Sequence, residues 1–183
     1  RVKQAVVELA QELLDLYAKR ELARGHAFAP DNAWQMEMEA AFPFVETQDQ
    51  LDAIAEVKSD MESVKPMDRL ICGDVGFGKT EVAMRAAFIA AMSGLQVAVV
   101  CPTTLLARQH YHSFTERFRG FPLIVRQLSR FVPAKQASET RAGLTDGTVD
   151  IVVGTHALLA KSIKFRNLGL MVVDEEQHFG VSH

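Results

Sequence analysis

The sequence has no apolar run long enough to cross a membrane, and it has very little cysteine. None of the apolar stretches in its 183 residues approaches the roughly 18 to 20 apolar positions that a membrane-spanning helix needs. The charged N-terminal segment is also unlike a secretory signal. The two cysteines, Cys72 and Cys101, lie within or at the end of apolar runs, which is typical of reduced core residues and not of a disulfide or zinc framework. We therefore expect a cytoplasmic protein.

A large excess of positive charge is missing as well. The 20 basic and 23 acidic residues give a net charge of −3, which argues against a protein that coats nucleic acid by bulk electrostatics but permits local phosphate contacts. A chain of this length with 48% hydrophobic residues can form one well-packed core with a small appendage. Because the sequence begins without methionine and stops just after a motif, we expect it to be a piece of a longer protein.

The N-terminal segment has the pattern of an amphipathic helix. Apolar residues recur over residues 2–24 at alternating steps of four and three, beginning with Val2, Val6, Leu9, Leu13 and Leu16. A loop follows, in which Asp31 is a candidate N-cap of a short helix that carries Trp34. We assign residues 1–41 to a helical extension and residues 42–183 to the main domain.

The main domain alternates short apolar runs with amphipathic helices. The apolar runs predict strands at 69–72, 96–101, 123–128, 150–154 and 168–174. Helical patterns occupy residues 79–92, 104–118, 133–145 and 156–160. Continuous Val, Ile and Leu runs between helices are typical of a parallel sheet covered on both faces. We therefore predict an α/β fold with a doubly wound parallel sheet, whose ligands bind at the carboxyl ends of the strands.

A glycine-rich segment with the pattern G-x-x-x-x-G-K-[ST] lies between a predicted strand and a predicted helix. Its glycines let backbone N–H groups turn toward a phosphate, and the helix N-terminus adds partial positive charge. Lys79 would reach the β and γ oxygens of a nucleotide, and Thr80 would offer its hydroxyl to Mg²⁺. The candidate nucleotide-binding residues here are Gly73, Asp74, Val75, Gly76, Phe77, Gly78, Lys79, Thr80 and Glu81.

Two carboxylates follow the last predicted strand. Asp174 would hold Mg²⁺ through water, and Glu175 would act as the general base or position the attacking water. An acidic pair after a strand is commonly only a solvated strand end. Its combination with the glycine-rich segment predicts a nucleotide-hydrolysis site that uses ATP and Mg²⁺.

Gln50 has two interpretations that the spacing leaves open. Thr47 and Gln50 have the spacing of a capping box, in which Gln50 bonds only the local backbone. Alternatively, the Gln50 amide presents a donor and an acceptor to adenine, with Phe42 or Phe44 packed near the base, so that ATP is preferred over GTP.

Five motifs together resemble the first RecA-like lobe of superfamily 2 helicases and translocases, which are P-loop NTPases. They read TQDQ, GDVGFGKT, PTTLLARQHY, VGTHALL and DEEQHFGV in chain order. More narrowly, the sequence resembles the bacterial transcription-repair coupling factors (Mfd). The related RecG helicases typically carry serine at the position of Phe77. The resemblance covers essentially the whole chain, and the N-terminal helix is similar to the relay helix that leads into the motor of the coupling factors.

The resemblance implies ATP-driven translocation on double-stranded DNA, which pushes a stalled RNA polymerase off a lesion and recruits nucleotide excision repair proteins through other domains. It implies catalytic roles for Lys79, Asp174 and Glu175, and adenine recognition by Gln50. It also places residues near the DNA backbone, namely Thr103, Thr104, Gln109, Ser129, Arg130, Thr155 and His156. Hydroxyls and N–H groups at helix starts can hold phosphates without reading bases, although capping is the ordinary role of threonine at such positions.

Two further expectations follow. A motor of this type needs a second lobe with an arginine finger, so we expect negligible ATPase activity from this chain alone. The apolar face of the N-terminal helix predicts self-association.

The competing functions are a RecG-like branch-migration helicase and a nucleotide-gated interaction module, whereas the acidic motif after the last strand disfavours a P-loop kinase.

Overall fold

The computed structural model describes residues 2–74, 76 and 78–174. Its elements in chain order are α1 (Val2–Leu22), α2 (Ala33–Ala40), α3 (Gln48–Glu62), α4 (Lys79–Met92), β1 (Gln96–Val100), α5 (Thr104–Arg117), β2 (Val125–Leu128), α6 (Ala134–Asp146), β3 (Ile151–Gly154), a 3₁₀ turn (His156–Leu159) and β4 (Leu168–Val173). They form two compact units. The first unit contains residues 1–30 and 46–79, and the second contains residues 31–45 and 80–183. The predicted boundary at residue 41 stays a prediction.

The first unit contains the helices α1 and α3. The segment after α1 is tied to the end of α3 by two backbone bonds, from Gly25 N to Val64 O (2.7 Å) and from Phe28 N to Met61 O (2.9 Å). The predicted amphipathic helix is confirmed, and its apolar side chains are at least 47% exposed at Val6, Val7, Leu9, Leu13, Leu14, Leu16 and Tyr17. In the described part of the chain, no helix combines the length and apolar character that crossing a bilayer requires.

The prediction of a strand at 69–72 is wrong. Residues 66–74 have no regular secondary structure, and Leu70 is 80% exposed. Arg69 is held by side chains of α3 instead, with its Nε 2.7 Å from Oδ2 of Asp60. A short apolar run becomes a strand only where its backbone finds a ladder partner, and this segment finds none among the described residues. Cys72 is therefore an exposed thiol and not the predicted core residue, whereas Cys101 is buried as predicted.

The second unit contains a parallel sheet of four described strands in the order β2-β3-β1-β4. The strands predicted near 96–101, 123–128, 150–154 and 168–174 are confirmed to within about two residues at the start and one at the end of each. Every residue of β1 and β3 is buried, as the continuous apolar runs indicate. The predicted α/β parallel-sheet fold is thereby confirmed.

Helices pack against this sheet through apolar side chains. Because successive residues of a strand point to opposite faces, Ala98, Val100 and Val152 share one cluster with Leu144 of α6. Aromatic rings join α4 to α5. The ring of Phe88 lies 5.5 Å from that of Phe118, which in turn lies 5.6 Å from the ring of Phe114. These contacts fix the two helices that flank β1 in the chain.

Two local details differ from the sequence-based expectation. The N-cap of α2 is Asn32 and not Asp31, because the Oδ1 of Asn32 accepts hydrogen bonds from Trp34 N (3.1 Å) and Gln35 N (3.0 Å). The segment predicted as a helix at 156–160 forms a single 3₁₀ turn. In both places the sequence predicts correctly where an element begins. It does not distinguish which of two neighbouring residues caps the helix, or an α-helix from a 3₁₀ turn.

Asp150, at the start of β3, makes the stability of the second unit depend on pH. Its Oδ2 accepts a hydrogen bond from Ile124 N at 2.7 Å. Partial burial raises the pKa of the Asp150 carboxyl, an effect that the bond from Ile124 partly opposes. The folded state therefore binds the carboxyl proton of Asp150 more tightly than the unfolded state does. The stability that protonated Asp150 supplies is present at acid pH and is lost as the pH rises through the raised pKa of this carboxyl.

We expect Asp150→Asn to be more stable than the unchanged chain near neutral pH, by less than about 1 kcal/mol because solvent screens a half-exposed carboxyl. The amide oxygen can still accept from Ile124, while the cost of burying a charge disappears. Urea unfolding at a series of pH values between about 4 and 7 measures the difference, which should shrink toward the acid end. A difference that is constant with pH would contradict the prediction.

Candidate functional site

The glycine-rich segment forms a turn at the start of α4. Gly76 (φ +88°) and Gly78 (φ +72°) have left-handed backbone conformations, which favour glycine. The Nζ of Lys79 donates a hydrogen bond to the carbonyl oxygen of Gly73, so the lysine joins the two ends of the turn. A positively charged side chain folded over a glycine turn at a helix start is suited to bind phosphate. Val75 and Phe77 lie outside the described residues.

Gln50 forms the capping box that one of its two interpretations predicted. Thr47 N donates to Oε1 of Gln50 (2.9 Å), and Gln50 N donates to Oγ1 of Thr47 (3.2 Å). The box also directs the amide nitrogen of Gln50 to Gly78, where an added Cβ would collide with it. The local interpretation is therefore confirmed, and the recognition of adenine by Gln50 stays a prediction.

The two phenylalanines considered for the adenine base differ in their surroundings. Phe42 lies beside the guanidinium groups of Arg85 and Arg117, whose Cζ atoms are 5.5 and 5.7 Å from the centre of its ring. Phe44 is 74% exposed and contacts Phe42 edge to face, with 5.7 Å between the ring centres. Phe44 thus offers a largely exposed ring, and its packing on a base stays a prediction.

Asp174 directly follows β4 and is fixed at both its backbone and its side chain. Its N donates to Val100 O at the end of β1 (2.9 Å), and its Oδ2 lies 2.7 Å from Nε2 of His110 on α5. Its side chain is 30% exposed, so solvent and ligands can reach it. Glu175, the predicted general base, lies outside the described residues.

The available oxygen donors fit Mg²⁺. No cluster of three or more His, Cys, Asp or Glu side chains that could hold a metal occurs in the part of the chain that the structure describes. Mg²⁺ needs only one or two protein oxygens when water and phosphate complete its shell. The partly exposed carboxylate of Asp174 and the hydroxyl of Thr80, in the first turn of α4, are oxygen donors of this kind.

Glu81 belongs to a buried ion-pair network. Its Oε1 accepts hydrogen bonds from Arg85 Nε and Arg117 Nη2, each at 2.8 Å, and its side chain is 5% exposed. Arg117 also donates to the carbonyl oxygen of Met38 in α2. Glu81 thus joins α4 to α5, Arg117 extends the network to α2, and the predicted contact of Glu81 with a nucleotide stays a prediction. The spacing of Glu81 and Arg85, four residues apart in a helix, was a sequence signal for this pair.

Six of the seven predicted DNA contacts lie just beyond the carboxyl ends of three neighbouring strands. The strand register places Leu128, Gly154, Val100 and Val173 in one row across the sheet. Ser129 and Arg130 directly follow Leu128, and Thr155 and His156 directly follow Gly154. Thr103 and Thr104 lie three and four positions after Val100. The structure thus brings these polar residues to one edge of the second unit, while Gln109 lies exposed further along α5.

The hydroxyl groups at this edge are used differently. Thr103 caps α5, since its Oγ1 accepts from Leu106 N (3.2 Å). Thr155 occupies the same position before the 3₁₀ turn but makes no capping bond through its side chain. The Oγ of Ser129 is buried and has no hydrogen-bond partner in the described structure. Capping thus accounts for Thr103, whereas it does not account for Thr155 or Ser129.

A comparison with protein-family models matches residues 47–183 to the DEAD/DEAH box helicases. The chain belongs to this helicase family. The match includes the glycine turn, the three strand ends with their polar residues and Asp174. The resemblance to superfamily 2 motors that the motifs indicated is thereby confirmed.

Individual relatives of this helicase domain are more specific. Over its whole length the chain is 58% identical to a transcription-repair-coupling factor of Mycobacterium bovis and 55% identical to one of Bacillus subtilis. It spans only about 15% and 16% of the length of those two relatives. A solved structure of RecG bound to a three-way DNA junction matches 91% of the chain, and 23% of that protein, with a TM-score of 0.83 and 37% identity.

The buried network around Glu81 should make a large contribution to stability. Glu81→Gln would remove the anion that Arg85 and Arg117 share and would leave Arg85 the more distant Glu39, 3.9 Å away, so we expect a loss of about 3 kcal/mol in the free energy of unfolding. Glu116→Gln is the matched control, because it removes an exposed ion pair with Arg119 on α5 and should change stability little. Urea unfolding of both variants measures this, and similar losses in the two would contradict the prediction.

Proposed function

We propose that this chain is the ATP-binding lobe of an ATP-dependent double-stranded DNA translocase in transcription-coupled nucleotide excision repair. In the longer protein the lobe would help to displace a stalled RNA polymerase, and repair proteins would bind through other domains. The observation that carries the proposal is the glycine turn closed by Lys79, in a chain that is 58% identical throughout to a transcription-repair-coupling factor. The relatives that the chain matches over its whole length come from bacteria, so the proposed location is the cytoplasm.

The proposed chemistry assigns each group a separate task. The glycine turn and Lys79 would bind the phosphates of ATP, with Gln50 and Phe44 at the adenine base. Thr80 and Asp174 would hold Mg²⁺, which neutralises charge on the phosphates when bound. Glu175 would position the water for attack. These roles agree with the exposure of Asp174 and Phe44 and with the position of Thr80 in the first turn of α4.

The proposed DNA contacts agree with the charge of the chain. The polar residues at the carboxyl edge of the sheet offer hydroxyl and backbone N–H groups, which can grip phosphate oxygens without reading the bases. A motor that moves along any DNA needs contacts of this sequence-neutral kind. They also require no large positive patch, which agrees with a net charge of −3.

A RecG-like helicase is the second candidate, because the chain is similar in structure to RecG. The higher identity to the coupling factors favours the first proposal. A nucleotide-gated interaction module is a third function, in which ATP binding changes a protein contact. ATPase assays of the longer protein with and without duplex DNA separate the motors from the module, since only a motor requires stimulation by DNA.

We expect the 183-residue chain to bind ATP weakly and to hydrolyse it negligibly. In related NTPases an arginine finger accelerates turnover by about 10³ to 10⁵. The chain spans a small part of its relatives, so that arginine would lie elsewhere in the longer protein. Titration with a fluorescent ATP analogue and an assay of phosphate release measure both properties.

Lys79→Ala should abolish binding of this analogue, whereas Lys135→Ala, which changes an exposed lysine of α6, should leave it intact. Turnover near that of a complete motor, sensitive to Lys79→Ala, would refute the expected lack of hydrolysis.

The exposed apolar face of α1 should cause the chain to self-associate. We expect sedimentation velocity to show a species larger than the monomer that grows with concentration, because contact between two such faces removes apolar surface from water. Leu9→Glu combined with Leu13→Glu should shift the distribution to monomer, while Glu12→Lys on the polar face should not. A monomer at all accessible concentrations in the unchanged chain would count against this proposal.

A further inference from the structure

His110 on α5 contacts Asp174, the candidate Mg²⁺ ligand at the end of β4. Its Nε2 lies 2.7 Å from Oδ2 of Asp174, and the side chains of the two residues are 16% and 30% exposed. His110 sits on the same face of α5 as the buried residues Ala107 and Phe114, at steps of three and four. The packing of α5 therefore directs the imidazole ring toward the end of β4.

One stripe of α5 carries three polar contacts. Thr103, His110 and Arg117 are seven residues apart, which is about two turns, so they lie along the same side of the helix. Thr103 caps the helix, His110 contacts Asp174, and Arg117 binds Glu81 in α4. Two of these contacts, those of His110 and Arg117, join α5 to other elements, whereas the cap at Thr103 fixes only where the helix begins.

Asp174 is held by two residues of the segment 100–110, Val100 and His110. Its backbone N donates to the carbonyl oxygen of Val100, and its carboxylate contacts His110, which lies ten positions further along the same stretch. A carboxylate that rotates freely must lose that freedom when it binds a cation. Carboxylates in metal sites are commonly fixed by a further hydrogen bond, and removal of such a partner typically weakens metal affinity or activity by about 10 to 100-fold.

We propose that His110 is a positioning residue that holds the carboxylate of Asp174 in the orientation needed for Mg²⁺. The proposal rests on the proposed nucleotide-binding function. With Oδ2 fixed by His110, the plane of the carboxylate is set and Oδ1 is directed away from the ring. His110 itself contacts neither the nucleotide nor the cation.

The experiment measures how much Mg²⁺ strengthens nucleotide binding. A fluorescent ADP analogue is titrated into the chain with excess Mg²⁺ and again with EDTA, and the ratio of the two dissociation constants gives the magnesium effect. His110→Ala should reduce that effect by about tenfold and leave the affinity in EDTA within about twofold. A residue that acts only on general stability would change both affinities alike.

Three other variants sharpen the test. His110→Gln keeps an N–H donor at a similar reach and should retain most of the magnesium effect, whereas His110→Phe keeps the ring volume without a donor and should lose it. His112→Ala is the matched control, since His112 is exposed on the same helix. Thermal unfolding identifies any variant that fails to fold. If His110→Ala fails, the comparison of His110→Gln with His110→Phe decides the outcome.

An unchanged magnesium effect in His110→Ala or His110→Phe would overturn the proposal, as would an equal loss of affinity with Mg²⁺ and with EDTA. Nucleotide binding without any magnesium effect in the unchanged chain would overturn the role of His110 but leave the phosphate-binding turn intact. A complete lack of nucleotide binding by the unchanged chain would refute the proposed function, and the role of His110 with it.

Discussion

The backbone pairing of β1 on both of its sides is the constraint on which the second unit depends. β1 is buried over its full length and bonds in parallel to β3 on one side and to β4 on the other. All four described strands are parallel, and after one register shift at the start of the β1–β4 pair their last residues form one row. The polar residues that follow the strands must therefore emerge at one edge. Asp174 and the threonines after β1 and β3 owe their common location to this register.

Buried charge adds specificity to this apolar framework. Placing Glu81 out of water costs free energy that only well-aligned partners can offset, and two arginines supply that alignment. The arginines come from α4 and α5, and Arg117 also bonds the backbone of α2. A sheet with apolar faces alone would tolerate small rotations of these helices. The shared carboxylate restricts them, so that α5 presents His110 to Asp174 in a defined way.

Local patterns predicted most elements but failed where an element needs a distant partner. The continuous apolar residues of 96–101 and 150–154 identified buried parallel strands, because burial on both faces requires such a run. The run at 69–72 looks similar, yet Arg69 bonds to α3 and the segment has no ladder in the described structure. Likewise, spacing suggested a cap for α2 but could not choose Asn32 over its neighbour, since only the backbone angles decide which side chain accepts.

The sequence by itself determined most of the alternation of strands and helices and the glycine turn before α4, and it offered the capping box at Thr47 and Gln50 as one of two interpretations. Each of these depends on residues close together in the chain, whose types restrict the backbone directly. Only the tertiary structure decided that Arg117 joins the local pair of Glu81 and Arg85, and that His110 contacts Asp174, 64 positions away. Such pairs depend on strand register and helix packing, which bring together residues that no local spacing connects.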